Sequence, residues 1–229
     1  ADQYTLRALN RSAVEGVETH QASITDFDAI RPAFDGVDTV VHLAAVADVY
    51  APWEDLLNVN IIGTRNVFQA AIDAGVKRVV FASSGSTIAS VEQDEPYKAI
   101  AEGRYAELPQ SWPLMDKHSE PRPWGVYGAT KLWGEALARH FVDTTDISIL
   151  CLRIGVVNAE DRPTQTRQYA NWCSQRDIAT MIGLAIDAPP ELRFDIFYVI
   201  SNNRYGYRDL SHAHDVLGYV PQDSADKWL

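Results

Sequence analysis

Short apolar runs alternate along this chain with stretches whose apolar residues recur every three or four positions. Residues 4–9 alternate in polarity as a strand does, Asn10-Arg11-Ser12 break the run, and residues 17–22 form a second short strand pattern. Thr25 or Asp26 is placed to cap a helix opening over Phe27-Asp28-Ala29-Ile30, and Gly36-Val37-Asp38 closes it. Thr39-Val40-Val41-His42-Leu43-Ala44-Ala45 is a continuous apolar run between turn signals, the pattern of a strand buried on both faces. A long helix is predicted from about Pro52 to Ala74, stopped by Gly75.

The second half repeats the alternation. Strands are predicted over 78–82, 147–154 and 194–200, and helices over 127–142, 175–188 and 208–217, the last ending at Gly218. Repeated strand and helix give βαβ units, so the expected fold class is α/β, a doubly wound parallel sheet in three layers. Ligands then belong at the carboxyl ends of the strands. One domain is expected over 1–229, with a substrate-binding region at 156–229. Residues 91–123 break the rhythm with Pro96, Pro109, Pro113, Pro121 and Pro123. So long an excursion is usually functional or disordered, and Tyr97, Tyr105 and Trp112 favour an ordered lid over the site.

Composition narrows the partners. At 229 residues the chain can bury one sizeable core, and its net charge of −11, without any basic run, argues against nucleic acid and anionic membrane surfaces. No apolar run approaches the roughly 20 residues that span a bilayer. A small-molecule substrate is therefore expected. Cys151 and Cys173 are read as packing residues of a protein in a reducing, cytoplasmic compartment, and their spacing fits no metal site. The chain opens Ala1-Asp2-Gln3-Tyr4 without a signal-peptide pattern or initiator Met, so its numbering is expected to begin inside a longer polypeptide.

Candidate chemistry sits in Val126-Tyr127-Gly128-Ala129-Thr130-Lys131. Residues four apart share a helix face, so the Lys131 ammonium is expected beside the Tyr127 phenol, favouring tyrosinate. That makes Tyr127 a candidate proton-transfer group. Upstream, Lys77-Arg78-Val79-Val80-Phe81-Ala82-Ser83-Ser84 reads as a buried strand ending in hydroxyls at the ligand edge. Ser84 is placed to bond the same substrate oxygen as Tyr127; the alternative for both serines is a helix or turn cap.

Ser84, Tyr127 and Lys131 resemble the Ser-Tyr-Lys triad of extended short-chain dehydrogenases/reductases, the NAD-dependent epimerase/dehydratase superfamily. Val40-Val41-His42-Leu43-Ala44-Ala45, Asn60-Ile61-Ile62-Gly63-Thr64-Arg65-Asn66-Val67 and Leu152-Arg153-Ile154-Gly155 are similar to its segments as well. The resemblance implies a Rossmann-like NAD(P)-binding domain, proton abstraction by Tyr127 and a homodimer built on the two long helices. It also implies cofactor contacts at Asn10, Arg11, Ser23, Ile24, Leu43, Ala44, Ala45, Asn60, Ser83, Tyr127, Lys131, Ile154 and Val157. The tail, with Arg167 five residues before Trp172, then Ser174, Asp177 and Leu217-Gly218-Tyr219-Val220-Pro221, is most like uronate dehydrogenases. There the equivalent arginine clamps the sugar carboxylate; a surface salt bridge or a helix cap is the other role open to Arg167. Ala47, Gly85, Ser86 and Val156 fall where those enzymes carry polar sugar-binding side chains, which implies a less polar pocket.

An acidic residue ending the second strand of such folds selects NAD, and an arginine there accommodates the extra phosphate of NADP. Asn10 and Arg11 leave NAD and NADP both open. The 13 glycines form no phosphate-binding cluster, and the chain starts at what resembles the second strand. Absence of the first would expose two strand edges. The resemblance implies a dehydrogenase of a sugar acid or small polyol, with a nucleotide-sugar epimerase or dehydratase and a non-catalytic NAD(P)-binding sensor as alternatives.

Overall fold

The computed structural model describes residues 3–229. Its strands β3 (Thr39–His42), β4 (Arg78–Ser84), β5 (Ser148–Ile154) and β6 (Phe194–Val199) form a parallel sheet in that order. Strands β1 (Arg7–Asn10) and β2 (Glu18–Gln21) pair in parallel, from Arg7 opposite Glu18 to Asn10 opposite Gln21. Among the described residues β1 and β3 share no hydrogen-bonded ladder, so the single sheet expected from the sequence is divided into two strands and four.

Alternation along the strands builds the layers. Successive side chains point to opposite faces, so Val79, Phe81, Ile149 and Cys151 join Ile30, Phe34, Val67, Phe68 and Val142 in one buried cluster. Val80, Leu150 and Leu152 face the other way, against Met181, Ala185, Phe197 and Leu217. Leu9 of β1 and Val40 of β3 both pack against the first cluster, which ties the two sheets together without hydrogen bonds between them.

Helix α1 (Phe27–Ile30) is a single turn, capped by the Asp26 side chain accepting from the Ala29 amide at 3.0 Å, and it continues as a 3₁₀ turn over Arg31–Phe34. The predicted long helix has three parts: α2 (Trp53–Asp55), a π segment (Leu56–Gly63) and α3 (Thr64–Asp73). Gly63 lets it approach α1's flank, because a Cβ there would meet Ile24 Cδ1 at 2.6 Å. Gly75, at φ +73°, ends it.

The proline-rich excursion is ordered. It carries a 3₁₀ turn (Ala89–Gln93) and α4 (Tyr97–Glu102), and its Ile88, Val91, Tyr97 and Ile100 share a third apolar cluster with Ala170, Tyr198 and Tyr207. Tyr105 stacks on Tyr205 at 3.7 Å, and Lys117 pairs with Asp195 of β6 at 2.6 Å. Helix α5 (Gly125–Thr144) begins two residues earlier than predicted. A short α6 (Gln168–Asn171), unsignalled by periodicity, precedes α7 (Gln175–Ile186). Helix α8 (Ser211–Leu217) starts later than predicted because Arg208 bridges Met115 of the excursion instead.

Candidate active site

Strand β4 ends in Ser83 and Ser84, as the run Lys77–Ser84 implied, and alternation sends their hydroxyls in opposite directions. Ser83 Oγ donates to Glu135 Oε1 at 2.6 Å within the core, whereas Ser84 Oγ accepts from the Ser86 amide at 3.1 Å at the strand's carboxyl edge. Only Ser84 is therefore placed to meet a ligand. Of the two readings left open for it, the cap is seen: its side chain caps the turn Gly85–Thr87.

Tyr127 and Lys131 lie on the inward face of α5 and are 8% and 3% exposed. Their shared face is fixed by close packing, since a Cβ at Gly128 would meet the Ser86 carbonyl oxygen at 2.5 Å and one at Gly134 the Phe81 ring at 2.6 Å. The electrostatics differ from the expectation. Burial raises the Tyr127 pKa, opposed by a hydrogen bond from Ser84, and Lys131 does not lower it. The reason is geometric: Lys131 Nζ donates to the Ala82 carbonyl at 2.7 Å and lies 5.7 Å from the centre of the Tyr127 ring. Burial also lowers Lys131 itself to about 8, so its proton is readily lost.

Beneath this pair lies a network that sequence reasoning missed. Glu135 accepts from Arg153 Nε at 2.9 Å and Nη2 at 2.8 Å, and Arg153 Nη1 donates to Tyr198 at 2.9 Å. Burial alone would lower the Arg153 pKa; the hydrogen bonds and charge of Glu135 reverse this and raise it. Two signals could have pointed to it: Glu135 is one helical turn beyond Lys131, and Arg153 is a lone charge in an apolar strand.

Asn60, expected at the cofactor, turns inward instead. Its Oδ1 accepts from the Val46 amide at 2.8 Å, and its Nδ2 donates to the Val46 carbonyl at 3.0 Å and to Thr130 Oγ1 at 3.1 Å. It thus joins the loop after β3 to α5. Ile24 is likewise directed into the core, and Ser23 Oγ is bonded to Thr25 Oγ1 at 2.8 Å. His42, at the end of β3, is buried and held neutral, its pKa lowered to about 3 by burial and by the Lys131 charge.

Of the remaining expected cofactor residues, Leu43 is 58% exposed beside exposed Ala44 and half-buried Ala45, and Val157 is exposed beside half-buried Ile154. Small, uncharged side chains at two strand ends suit the faces of an adenosine and a nicotinamide, and Asn10 and Arg11 are exposed at the end of β1. Those residues fit the two ends of NAD(P). A glycine-rich pyrophosphate turn is not supplied by the described residues. Among expected substrate residues, Ala47 is exposed, Gly85 buried, and Ser86 and Val156 half-buried. Arg167 is committed elsewhere, its Nε donating to buried Glu92, which also accepts from Tyr207, while its guanidinium covers Trp124 at 5.3 Å. This is the salt-bridge role left open for it.

The model of the NAD dependent epimerase/dehydratase family matches residues 2–217. The NAD-dependent glucose-6-phosphate dehydrogenase of Haloferax volcanii is 35% identical over 98% of this chain and 86% of its own length. A uronate dehydrogenase of Pseudomonas putida is 32% identical over 91% of this chain and 69% of its own length. The crystal structure of uronate dehydrogenase from Agrobacterium tumefaciens superposes with a TM-score of 0.80 at 29% identity, covering 97% of this chain and 76% of that one.

Proposed function

Because this chain belongs to the NAD-dependent epimerase/dehydratase family, we propose that it is an NAD(P)-dependent dehydrogenase oxidising one hydroxyl of a sugar acid or related small polyol. The observation that carries this reading is the convergence of Ser84, at the carboxyl edge of β4, with Tyr127 and Lys131 on the inward face of α5, where Lys131 Nζ lies 5.7 Å from the centre of the Tyr127 ring. Relatives named as sugar and sugar-acid dehydrogenases support it.

When bound, the nicotinamide supplies a hydride acceptor. The chain's own groups handle the proton: the Tyr127 and Lys131 pair, having lost one proton, takes it from the substrate hydroxyl at Tyr127 Oη, and Ser84 Oγ orients that hydroxyl. Leu43, Ala44, Ala45, Asn10 and Arg11 would hold the adenosine side, and Ile154 and Val157 the nicotinamide side. Arg11, without an acidic residue at position 10, leaves room for the phosphate of NADP. A homodimer through the two long helices fits the exposed Trp53 and Ile62, and gel filtration at monomer mass would refute it. Buried, unpaired Cys151 and Cys173 suit the cytoplasm.

The test is a screen of uronates, aldoses and sugar phosphates with NAD and NADP, run beside Tyr127→Phe. Net formation of reduced cofactor by the wild type, lost in the variant, is expected. Undiminished turnover in the variant would remove Tyr127 from the mechanism.

A further inference from the structure

Arg208 is 4% exposed, yet among the described residues its Nε and Nη1 have no hydrogen-bond partner. Its one hydrogen bond among the described residues, Nη2 to the Gly85 carbonyl, is 3.5 Å long, at the outer limit of a hydrogen bond. Other buried cations here are compensated: Arg153 by Glu135, Lys131 by the Ala82 carbonyl, and Arg78 by the carbonyls of Ala185, Pro189 and Leu192. A guanidinium keeps its charge at any working pH, and an unpaired buried charge is costly. The Tyr207 ring, 4.5 Å from Arg208 Cζ, offsets part of that cost.

The surroundings add positive charge. Tyr207 donates to Glu92, the same carboxylate that accepts from Arg167, so the carboxylate bonded to the Tyr207 phenol is already paired with Arg167 and not with Arg208. With both arginines and Glu92 ionised, this cluster holds one positive charge in excess.

Its position relates it to the reacting centre. A Cβ at Gly85 would meet Arg208 Nη2 at 3.1 Å, Nε at 3.2 Å and Cζ at 3.4 Å, so the guanidinium occupies the space a side chain at 85 would need. Gly85 directly follows Ser84. The backbone that delivers Arg208 is itself fixed, with the Met115 amide donating to the Tyr207 carbonyl at 2.7 Å and the Asp209 amide to the Met115 carbonyl at 2.9 Å. Ser86, next along the loop, is half-buried.

We infer that Arg208 is an anion anchor for the substrate: it receives the carboxylate or phosphate of an anionic sugar whose hydroxyl lies at Ser84 and Tyr127. An oxyanion replaces the 3.5 Å contact to Gly85 and gives the orphaned nitrogens an acceptor. This deepens the dehydrogenase reading and rests on it.

Wild type, Arg208→Gln, Arg208→Lys and Gly85→Ala are compared on glucose 6-phosphate, glucuronate and arabinose with NAD and NADP. The wild type is expected to prefer one or both anionic sugars, and which one identifies the anion. Arg208→Gln should raise KM for that sugar on the order of 30-fold with kcat changed far less, leave arabinose unaffected, and regain part of the binding as lysine. Gly85→Ala displaces the guanidinium without removing it and carries the same KM test should the glutamine variant not fold. Equal KM changes for arabinose and the anionic sugars, or none for either, overturn the assignment. If no sugar is oxidised, the dehydrogenase reading fails, and the anchor is judged alone by thermal unfolding in inorganic phosphate against potassium chloride of equal ionic strength. Phosphate stabilisation lost in Arg208→Gln supports it, and an equal response of both proteins overturns it.

Discussion

Asn60 holds Val46 by both backbone groups, accepting from its amide at 2.8 Å and donating to its carbonyl at 3.0 Å, while a third bond reaches Thr130 on α5. One amide side chain thereby sets the distance between the loop after β3 and the face of α5 that carries Tyr127 and Lys131. The π segment makes this reach available, because a π turn displaces one residue from the regular helical ladder and such turns recur at functional sites.

Asn60→Leu therefore leaves the Val46 amide and carbonyl and Thr130 without their partner at a buried position. The expected cost is about 2–3 kcal/mol of stability, read as a lower urea midpoint at unchanged slope, together with weaker cofactor binding by titration. An unchanged midpoint would show that water replaces the amide.

The Tyr127 and Lys131 pair predicts a pH profile. Burial raises the phenol and lowers the ammonium to about 8, so the first proton lost from the pair leaves near pH 8, whichever group it formally leaves. The kcat/KM for alcohol oxidation should rise from pH 7, level off above that point, and lack a descending limb before pH 10. In Lys131→Met only the raised phenol remains, so the rise should move beyond pH 10. A variant profile superimposable on the wild type would separate Lys131 from the proton transfer.

The Glu135–Arg153 pair predicts a stability pattern. Both side chains are almost fully buried and bonded twice, and Ser83 and Tyr198 satisfy further atoms of the pair. Glu135→Leu leaves Arg153 charged and uncompensated and should cost about 3–5 kcal/mol. The double variant Glu135→Leu with Arg153→Met should recover most of that loss in chemical denaturation. A double variant as unstable as the sum of the singles would mean that the two residues act independently.

What the sequence disclosed and what it withheld follow from range. The strand runs around Val79–Phe81 and Ile149–Leu152 were legible because burial on both faces demands an unbroken apolar stretch, and Tyr127 with Lys131 because their relation lies within one helical turn. Arg167 with Glu92, Tyr207 with Glu92 and Arg208 with Gly85 join residues separated by 75, 115 and 123 positions, and no local period encodes such pairs. The π segment was hidden because Leu56–Gly63 carries the apolar content of an ordinary helix. Ser83 was assigned to the ligand edge although strand alternation, applied from Ser84, sends its hydroxyl into the core. The division of the sheet between β1 and β3 left no trace in periodicity, since each half reads as parallel strands on its own.

His42 predicts the pH dependence of folding. Burial and the nearby Lys131 charge lower its pKa to about 3 in the folded chain, against 6.5 for the ordinary side chain, and its Nε2 is 3.1 Å from Thr64 Oγ1. A depressed folded pKa means that the unfolded chain binds the proton more readily between those two values. Neutral His42 therefore contributes its full stability above pH 6.5, and that contribution is lost as the pH falls through the interval toward 3. The slope it adds approaches about 1.4 kcal/mol per pH unit, so lowering the pH from 6.5 to 5 should cost about 2 kcal/mol through this residue. Urea unfolding at pH 7.5, 6 and 5 measures it. His42→Asn keeps a side chain able to reach Thr64 but cannot titrate, so its stability should fall less steeply over the same range. Parallel curves for the two proteins would place the proton uptake on other groups.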